Sequence, residues 1–409
     1  MILQDLGTSV KRFVERVVTA MMQGAPMAAI LAIAFMLHFA TAVVTARRLR
    51  APSPCRADGG SRGRPSVSLI IPVAGLEGSE IENALAAFDI AYPDFELLFC
   101  AFEDDMARLA ALQQRMAASS NVKAKLLIGR TCVTANPKLD NIEKAWTEAR
   151  AELIAMVDGN VAFPPDMVDR LLAVWDASTG MSSSPAIGVK PIGFWAQIEC
   201  AFLNTFHARW QLSADYLGGG FANGKAMLLR RDLLVDRGGL RGLSFDIAED
   251  SAATKIVRAA NLKVRLVDRP LEQPLGRRSM AQVWRRQLRW AQLRRRSFPF
   301  VYLCECLTTA ATPLLAGLGL ASLIGLPFGW TFLIIATVWY GVEASLALAV
   351  GWPWGPLSFL ACVIRDGMAL AIWPIALGRS RYEWRGNLID MSNQTCVPAA
   401  GERLLTSVR

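Results

Sequence analysis

Histidine is nearly absent from this 409-residue sequence, which contains only His38 and His207. Histidine-cluster metal sites and Ser-His-Asp triads both need histidine, so the sequence argues against these two kinds of site. None of the eight cysteines forms a Cys-x-x-Cys pair, and Cys304-Glu305-Cys306 has no ligand partners beside it. The cysteines are therefore expected to be reduced thiols of a cytoplasmic protein. Internal repeats and low-complexity tracts are absent too.

Charged residues are sparse at 19%, whereas hydrophobic residues make up 53% and the mean hydropathy is +0.30. This balance predicts membrane segments attached to a water-exposed domain. The net charge is +9, and basic residues cluster beside apolar stretches, at 47–50 and 294–296. That placement favours contact with anionic lipid headgroups and argues against nucleic acid as a partner.

The N-terminal region 1–46 contains a stretch, 25–46, that has no Asp, Glu, Lys or Arg and is long enough to span a membrane. A cleaved signal peptide is the alternative, but the stretch ends in basic residues and lacks a small-residue cleavage site. Six Lys and Arg lie between 47 and 64, against three before the stretch. The chain after this anchor is therefore expected to be cytoplasmic. Residues 47–65, rich in Pro, Ser, Gly and Arg, are interpreted as a linker.

Apolar runs alternate with helix-like segments after the linker, which predicts an α/β fold with a mostly parallel sheet. Ligands of such sheets bind at the carboxyl ends of the strands, where Glu103-Asp104-Asp105 and Asp158 fall. The expected strands and helices are, in order, strands 67–73, 95–101, 124–128 and 153–157, and helices 79–90, 106–118 and 139–151.

Two later segments have helical spacing and many aromatic or basic residues. Residues 192–212 are interpreted either as a core helix or as a helix in the membrane interface, and 278–298 as an interfacial helix. Gly218-Gly219-Gly220 and Gly224 predict an open loop, and 226–237 a further strand and helix.

The C-terminal region 301–380 contains three apolar segments of spanning length, 307–327, 328–350 and 356–378, followed by a tail, 381–409. Arg365-Asp366 lies in the middle of the last segment, where charge is costly unless it is paired or faces protein. The pair is interpreted either as structural or as a headgroup contact. If all three C-terminal segments crossed, the basic residues after 378 would lie outside, against the charge rule, so one segment can instead be re-entrant or interfacial.

Several polar residues are candidates for chemistry on a phosphate-activated donor. Asp158, in Asp158-Gly159-Asn160, can bind a divalent cation whose other ligands are diphosphate oxygens and water, although an aspartate in a turn often only shapes the turn. Glu103, Asp104 and Asp105 can bind a nucleoside or help to hold the cation, or they cap the following helix. Lys138 can contact the diphosphate or remain an exposed turn lysine.

A second group of candidates lies downstream. Asp250 can act as a general base on an acceptor hydroxyl, with helix capping as the alternative. Arg286, Arg289 and Trp290 suit phosphate contact and stacking, or simple binding of the helix to anionic lipid. Carboxylates followed by an Arg-Trp block beside apolar spans predict group transfer at a membrane surface.

The order of these motifs resembles that of the ceramide glucosyltransferases, a family of inverting membrane glycosyltransferases. The resemblance covers residues 67–300. The motifs that carry it are the first strand 67–72, Ala91-Tyr92-Pro93 followed by 95–100, Asn136-Pro137-Lys138 with Asn141, Asp158, His207-Ala208-Arg209-Trp210, Ile247-Ala248-Glu249-Asp250 and Arg286-x-x-Arg289-Trp290. The acidic segment 102–106 departs from the family pattern, because it is shorter than the family's usual acid-rich motif.

This resemblance implies a GT-A fold over the domain 66–300, a UDP-sugar donor with glucose as the usual sugar, Mg²⁺ or Mn²⁺, and ceramide as acceptor. It implies that Asp158 binds the metal and that Asp250 is the catalytic base. It further implies catalytic roles for Arg289, Trp290 and His207, and donor contacts from Pro72, Glu103, Asp104, Asp105, Lys138, Asp158, Arg286 and Arg289. Because Asp158-Gly159-Asn160 is not an Asp-x-Asp motif, a metal with one protein ligand is expected.

Other functions stay open at this point. UDP-glucuronate or UDP-galactose can replace UDP-glucose, and a hopanoid or diacylglycerol can replace ceramide. A processive polysaccharide synthase shares the motifs but is expected to have more spans, and a non-catalytic lipid transporter or scaffold leaves the ordered motifs unexplained. The Ala- and Arg-rich composition favours a bacterial inner membrane as the location.

Overall fold

The computed structural model describes residues 2–51, 64–73, 79–103, 109–130, 134, 136–384, 387–391 and 395–398. Asp104 and Asp105 therefore lie outside the described residues.

Twelve strands are formed by the described residues. They are β1 Val67–Pro72, β2 Phe95–Ala101, β3 Lys123–Ile128, β4 Leu153–Val157, β5 Thr179–Ser183, β6 Ala186–Ile192, β7 Ala226–Arg230, β8 Lys263–Leu266, β9 Leu271–Arg277, β10 Arg381–Trp384, β11 Asn387–Asp390 and β12 Thr395–Pro398.

Seven of these strands form the central sheet, in the order β3-β2-β1-β4-β7-β5-β8. Strands β1 to β4 are parallel, β7 is antiparallel to both of its neighbours, and β5 and β8 are parallel. Every residue of β1 and β4 is buried, because helices cover both faces of the sheet. The predicted mostly parallel α/β sheet and its first four strands are thereby confirmed.

Fifteen α-helices are formed by the described residues. They are α1 Ile2–Arg50, α2 Ser79–Ala86, α3 Ala110–Ala118, α4 Pro137–Ile142, α5 Ala145–Glu148, α6 Met167–Leu172, α7 Phe194–Ala201, α8 Arg209–Tyr216, α9 Asp232–Val235, α10 Glu249–Ala259, α11 Met280–Ser297, α12 Pro299–Glu305, α13 Ala311–Ile324, α14 Phe328–Val350 and α15 Ser358–Gly378.

The helix predicted over 139–151 is wrong in its bounds. Helix α4 begins at Pro137, because the Asn136 side chain accepts hydrogen bonds from the backbone N–H groups of Lys138 and Leu139. A turn then separates α4 from the short α5, which ends at Glu148. The helix predicted over 79–90 likewise stops at Ala86 and continues as a 3₁₀ turn.

Helices α7 and α8 are joined by a π-helical segment, Phe202–Ala208. The three form one long helix, which covers most of the helix predicted over 192–212 and ends at Tyr216. Helix α11 occupies the second predicted interfacial segment and begins with a capping box between Ser279 and Gln282. Aromatic residues of α7 and the π-helical segment pack in one cluster with apolar residues of α11 and α15.

Three helices of the described chain are long and apolar enough to cross a membrane: Gly24–Arg50 of α1, α14 and α15. The segment predicted to span at 307–327 corresponds largely to α13, which meets α12 and the turn after it, Pro299–Thr308, at a bend of 51°. This geometry fits one broken span or a re-entrant loop, so the predicted span remains a prediction. Helix α13 runs antiparallel to α1, because Gly24 lies against Leu320 and Leu323 whereas Leu31 lies against Gly317.

Both ends of α15 lie beside the α/β domain. Its first residues follow a loop whose Trp352 packs with Ile187 of β6. At its other end, the Leu377 carbonyl accepts a hydrogen bond from Arg295 of α11 at 2.9 Å. Helix α15 therefore begins and ends on the side of the membrane helices that faces the domain.

The segment predicted as a tail contains an antiparallel sheet formed by β10, β11 and β12. Tyr382 and Ile389 of this sheet pack in one cluster with Ile247 and Leu293 of the domain. The described part of the tail therefore belongs structurally to the domain, next to the motif that contains Asp250.

Candidate active site

Asp158 lies at the carboxyl end of β4, at the edge of the sheet where ligands of α/β proteins bind. Its side chain is 23% exposed, and each of its oxygens contacts a lysine ammonium. Oδ1 is 2.7 Å from Nζ of Lys138, and Oδ2 is 2.9 Å from Nζ of Lys225. Although burial opposes it, these two lysines hold the pKa of Asp158 well below its usual range. Asp158 is therefore an ionised carboxylate with cations on both sides.

Lys138 is buried near the start of α4 and joins three parts of the site. Its Nζ is 2.7 Å from Oδ1 of Asp158 and 2.7 Å from Oε1 of Glu249, and it donates to the Gly224 carbonyl at 2.6 Å. An ammonium has three N–H donors, so these acceptors use them all. The predicted contact of Lys138 with a diphosphate would require one of these bonds to break. Its observed contacts give it a positioning role.

Lys225 and Asn160 were missed by the sequence reasoning. Lys225 precedes β7, and because β7 pairs antiparallel with β4, Lys225 lies opposite Asp158. Its Nζ is 2.9 Å from Oδ2 of Asp158 and donates to Oδ1 of Asn160, also at 2.9 Å. The Asp158-Gly159-Asn160 turn thus presents two oxygens to one cation, where the sequence predicted one ligand.

Asp250 lies in the first turn of α10 and faces the Gly-rich loop. Its Oδ2 accepts a hydrogen bond from the Gly224 backbone N–H at 2.9 Å, and its Oδ1 accepts one from the Ser251 N–H at 2.8 Å. Burial, followed by repulsion from Glu249, raises the pKa of Asp250 to about 7. A half-buried carboxyl group with this pKa can accept a proton near neutral pH.

Gly224 brings the two acidic motifs together, because its N–H contacts Asp250 while its carbonyl contacts Lys138. A Cβ at Gly224 would meet Oε1 of Glu249 at 3.1 Å and Oδ2 of Asp250 at 3.3 Å. Glycine is needed here because the backbone approaches both carboxylates closely.

Two other predicted donor-binding residues lie at the same edge of the sheet. Ile70 is paired with Met156, so Pro72, two residues later on a parallel strand, is level with Asp158. Glu103 follows β2, which is next to β1, and its side chain is exposed. The structure thus brings Pro72, Glu103 and Asp158 to one edge.

The basic motif lies on α11, Met280–Ser297. Arg286 forms an ion pair with Glu199 of α7, and Nε of Arg278 is 3.2 Å from Oε2 of the same glutamate. Arg289 is half-buried on the same helix, one residue before Trp290. The observed contacts of Arg286 fasten α11 to α7, and its predicted donor contact remains a prediction.

His207 and Trp290 contact one another, with ring centroids 5.4 Å apart in an edge-on arrangement. Nε2 of His207 also lies 3.0 Å from Oε1 of Gln287. Burial, followed by the charge of Arg294, lowers the pKa of His207 to about 3, so the ring is neutral near pH 7. These contacts give His207 a role in positioning α11, and its predicted catalytic role remains a prediction.

A divalent cation can be accommodated at the Asp158-Gly159-Asn160 turn. Carboxylate and amide oxygens are ligands of Mg²⁺ and Mn²⁺ in proteins. One cation, the Lys225 ammonium, already contacts both the Asp158 and the Asn160 oxygen. The described residues contain no group of three or more His, Cys, Asp or Glu side chains that could hold a metal. The residues fit a cation whose remaining ligands come from a diphosphate and water.

A sequence model of one protein family, described as glycosyl transferase family 21, matches residues 26–397. Among curated proteins, ceramide glucosyltransferase 1 of Caenorhabditis elegans is 27% identical over 290 residues, which cover 69% of this chain and 61% of that protein. Ceramide glucosyltransferase 3 of the same organism is 25% identical over 341 residues, or 80% of this chain and 73% of that protein.

Among solved structures, the mannosyltransferase PcManGT from Pyrobaculum calidifontis, in complex with GDP-Man and Mn²⁺, aligns with 86% of this chain and 99% of its own. The TM-score is 0.49 and the sequence identity is 16%.

Proposed function

The chain belongs to glycosyl transferase family 21, and we propose that it transfers a sugar from a UDP-sugar to the primary hydroxyl of ceramide. The observation that carries this proposal is the arrangement around Gly224. It places a carboxyl group with a pKa near neutrality beside an ionised, lysine-bound carboxylate, in a domain attached to membrane helices. Glucose is the favoured sugar, because both C. elegans relatives are named ceramide glucosyltransferases.

Asp250 is the base in the proposed reaction. Its carboxylate accepts the proton of the acceptor hydroxyl, and the oxygen attacks the anomeric carbon from the face opposite to UDP. The bond between the anomeric carbon and the diphosphate oxygen breaks as the new glycosidic bond forms, which inverts the configuration. Lys138 holds Asp158 and Glu249 in place during this step.

UDP leaves as an anion, so positive charge at its diphosphate lowers the barrier. A divalent cation, when bound at Asp158 and Asn160, would supply such charge. Arg289 and Trp290 remain the predicted contacts to the diphosphate and the acceptor, on a basic helix suited to a membrane surface.

The membrane arrangement follows from where the helices end. Helix α1 reaches the domain, where Nη2 of Arg48 lies 2.7 Å from Asp215, and α13 runs away from it. Helix α14 returns, since Trp339 packs against Phe35 of α1 whereas Leu346 packs with Ala42, closer to the domain. We propose three crossings, by α1, by the bent pair of α12 and α13, and by α14, with α15 in the interface and the domain in the cytoplasm of a bacterial cell.

Labelling of the two termini in sealed inner-membrane vesicles tests this arrangement. An epitope at the C-terminus should lie on the same side as the domain, and one at the N-terminus on the opposite side. Both epitopes on one side would contradict the three crossings.

Sugar transfer to a fluorescent ceramide tests the proposed reaction. Membranes that contain the protein would receive UDP-glucose, UDP-glucuronate or UDP-galactose separately, with Asp250→Asn as the control. Transfer from one donor, lost in the control, would establish the reaction and the sugar. With folded protein and no transfer from any donor, the assignment of ceramide as acceptor would be rejected, and hopanoid and diacylglycerol would be tested next.

A further inference from the structure

The ammonium of Lys225 occupies the position that a metal ion would need. Oδ2 of Asp158 and Oδ1 of Asn160, which together we call the cation seat, are each 2.9 Å from its Nζ. The two oxygens come from one turn and the ammonium from the adjacent strand end, so the fold itself fills the seat.

We propose that Lys225 is an internal counter-cation, which occupies the cation seat until a divalent cation arrives with the donor diphosphate. This inference rests on the proposed function, because it requires a nucleoside-diphosphate donor. On arrival of the metal, the ammonium leaves the seat and binds a phosphate oxygen of the donor. The lysine thus prevents tight metal binding before the donor is present.

The lysine side chain can make this move while its backbone stays in place. The Lys225 carbonyl accepts a hydrogen bond from the Asp158 N–H at 2.9 Å, and the next residue, Ala226, is paired with Val157. Its side chain is 12% exposed, and its four-carbon stem has several rotatable single bonds through which the ammonium can be repositioned. The backbone is therefore fixed and the charge is movable.

Lys225 also keeps bonding capacity that Lys138 has lost. Within the described residues, Nζ of Lys225 contacts the two oxygens of the cation seat, which leaves one of its three hydrogens for an outside acceptor. Nζ of Lys138 has three acceptors in the protein. Of the two lysines on Asp158, Lys225 is the one that can exchange.

A consequence is cooperative binding of metal and nucleotide. The metal alone must displace an ammonium that then has no new partner, whereas the metal with UDP offers that ammonium a phosphate. Linkage makes the effect reciprocal, so UDP should tighten metal binding by the same factor as the metal tightens UDP binding.

Binding of Mn²⁺ to the full-length protein in detergent tests the proposal, measured by electron paramagnetic resonance with and without UDP. Wild type should bind Mn²⁺ weakly alone and tightly with UDP. Lys225→Met should bind Mn²⁺ alone at least about tenfold more tightly, or about 1.4 kcal/mol, and should lose most of the coupling to UDP.

Two variants act as controls. Lys263→Met removes an exposed lysine of β8 and should bind Mn²⁺ as wild type does. Lys225→Arg keeps a cation next to the seat and should keep Mn²⁺ binding weak in the absence of UDP. If the methionine variant does not fold, the arginine variant still tests the proposal. Tighter Mn²⁺ binding by Lys225→Arg than by wild type would overturn it.

Unchanged Mn²⁺ affinity in a folded Lys225→Met protein would overturn the proposal while leaving the proposed function intact, provided that wild type still binds UDP. If wild type binds UDP neither alone nor with Mn²⁺, the proposed function itself would fail. The same titrations therefore separate the two failures.

Discussion

Two clusters of ion pairs lie in different regions of the molecule and are made from different cations. At the edge of the sheet, Lys138 and Lys225 contact Asp158, whose side chain is 23% exposed. Between the membrane helices, Arg365 contacts Glu343 and Asp366, and all three side chains are almost fully buried.

The arginine cluster is locked by its geometry. Arg365 makes a two-pronged contact with Glu343, at 2.7 and 3.0 Å, and its Nε donates to Asp366 at 3.0 Å. Asp366 in turn accepts hydrogen bonds from the Ala310 N–H and the Tyr340 hydroxyl. The cluster joins α14 and α15 to Ala310, the residue just before α13. Arg365-Asp366 is therefore structural, which is one of the two interpretations from the sequence.

A planar guanidinium suits fixed pairing, whereas a lysine ammonium is a point charge on a flexible chain. The arginine pairs lie where the charges are buried between helices, and the lysine pairs lie where the proposed donor and its counter-ion would enter. The comparison can be tested at each cluster, beginning with the largest expected effect.

Arg365→Met should be the most damaging substitution, because it leaves the carboxylates of Glu343 and Asp366 buried without their main cation. Breaking a buried pair on one side costs about 3–5 kcal/mol. Thermal unfolding in detergent should show a large loss of stability, and Arg296→Met, on an exposed arginine, should not. Equal stability of the two variants would remove the distinction between the clusters.

Asp250→Asn should leave the fold intact and remove sugar transfer. An asparagine oxygen can still accept a hydrogen bond from the Gly224 N–H, but it cannot take a proton from the acceptor. A loss of a general base typically lowers the rate by about 10²–10⁴-fold. UDP binding, measured separately, should be retained, and full activity would reject Asp250 as the base.

The pH dependence of kcat/KM should report Asp250. Because burial and Glu249 raise its pKa to about 7, the carboxylate that acts as base predominates above that pH, and the rate should fall as the pH drops below it. Glu249→Gln removes the repulsion, so the fall should move to lower pH. A profile that stays in place in this variant would contradict the coupling between the two acids.

The smallest effect is expected at the ion pair of Arg230 and Asp232, whose side chains are 39% and 61% exposed. Exposed pairs contribute roughly 0–1 kcal/mol. Asp232→Asn should therefore change the unfolding temperature little and sugar transfer not at all. A large change here would show that pairing, and not burial, sets the effects at the other two clusters.

Much of the fold could be predicted because local patterns and burial agree. Strand β1, for example, is a buried run that is apolar except for Ser68 and ends at Pro72, and the alternation of such runs with helices predicts the sheet. The bend between α12 and α13 could not be predicted, because hydropathy does not reveal where an apolar segment breaks. The sheet of the tail was missed for a related reason, since its strands pack on Ile247, far away in sequence.

The sequence by itself determined the α/β domain, the apolar helices and the family, and it predicted Asp158 and Asp250 as site residues, because these rest on periodicity and motif order. Only the tertiary structure decided which cations those acids meet. Lys225 reaches Asp158 through the antiparallel pairing of β7 with β4, across 67 residues of chain. Lys138 and Glu249 are likewise distant in sequence. They meet because Gly224 has no Cβ, so that the Lys138 and Asp250 motifs can both contact its backbone. Ion pairs depend on distances in space, which a linear pattern of residue types does not contain.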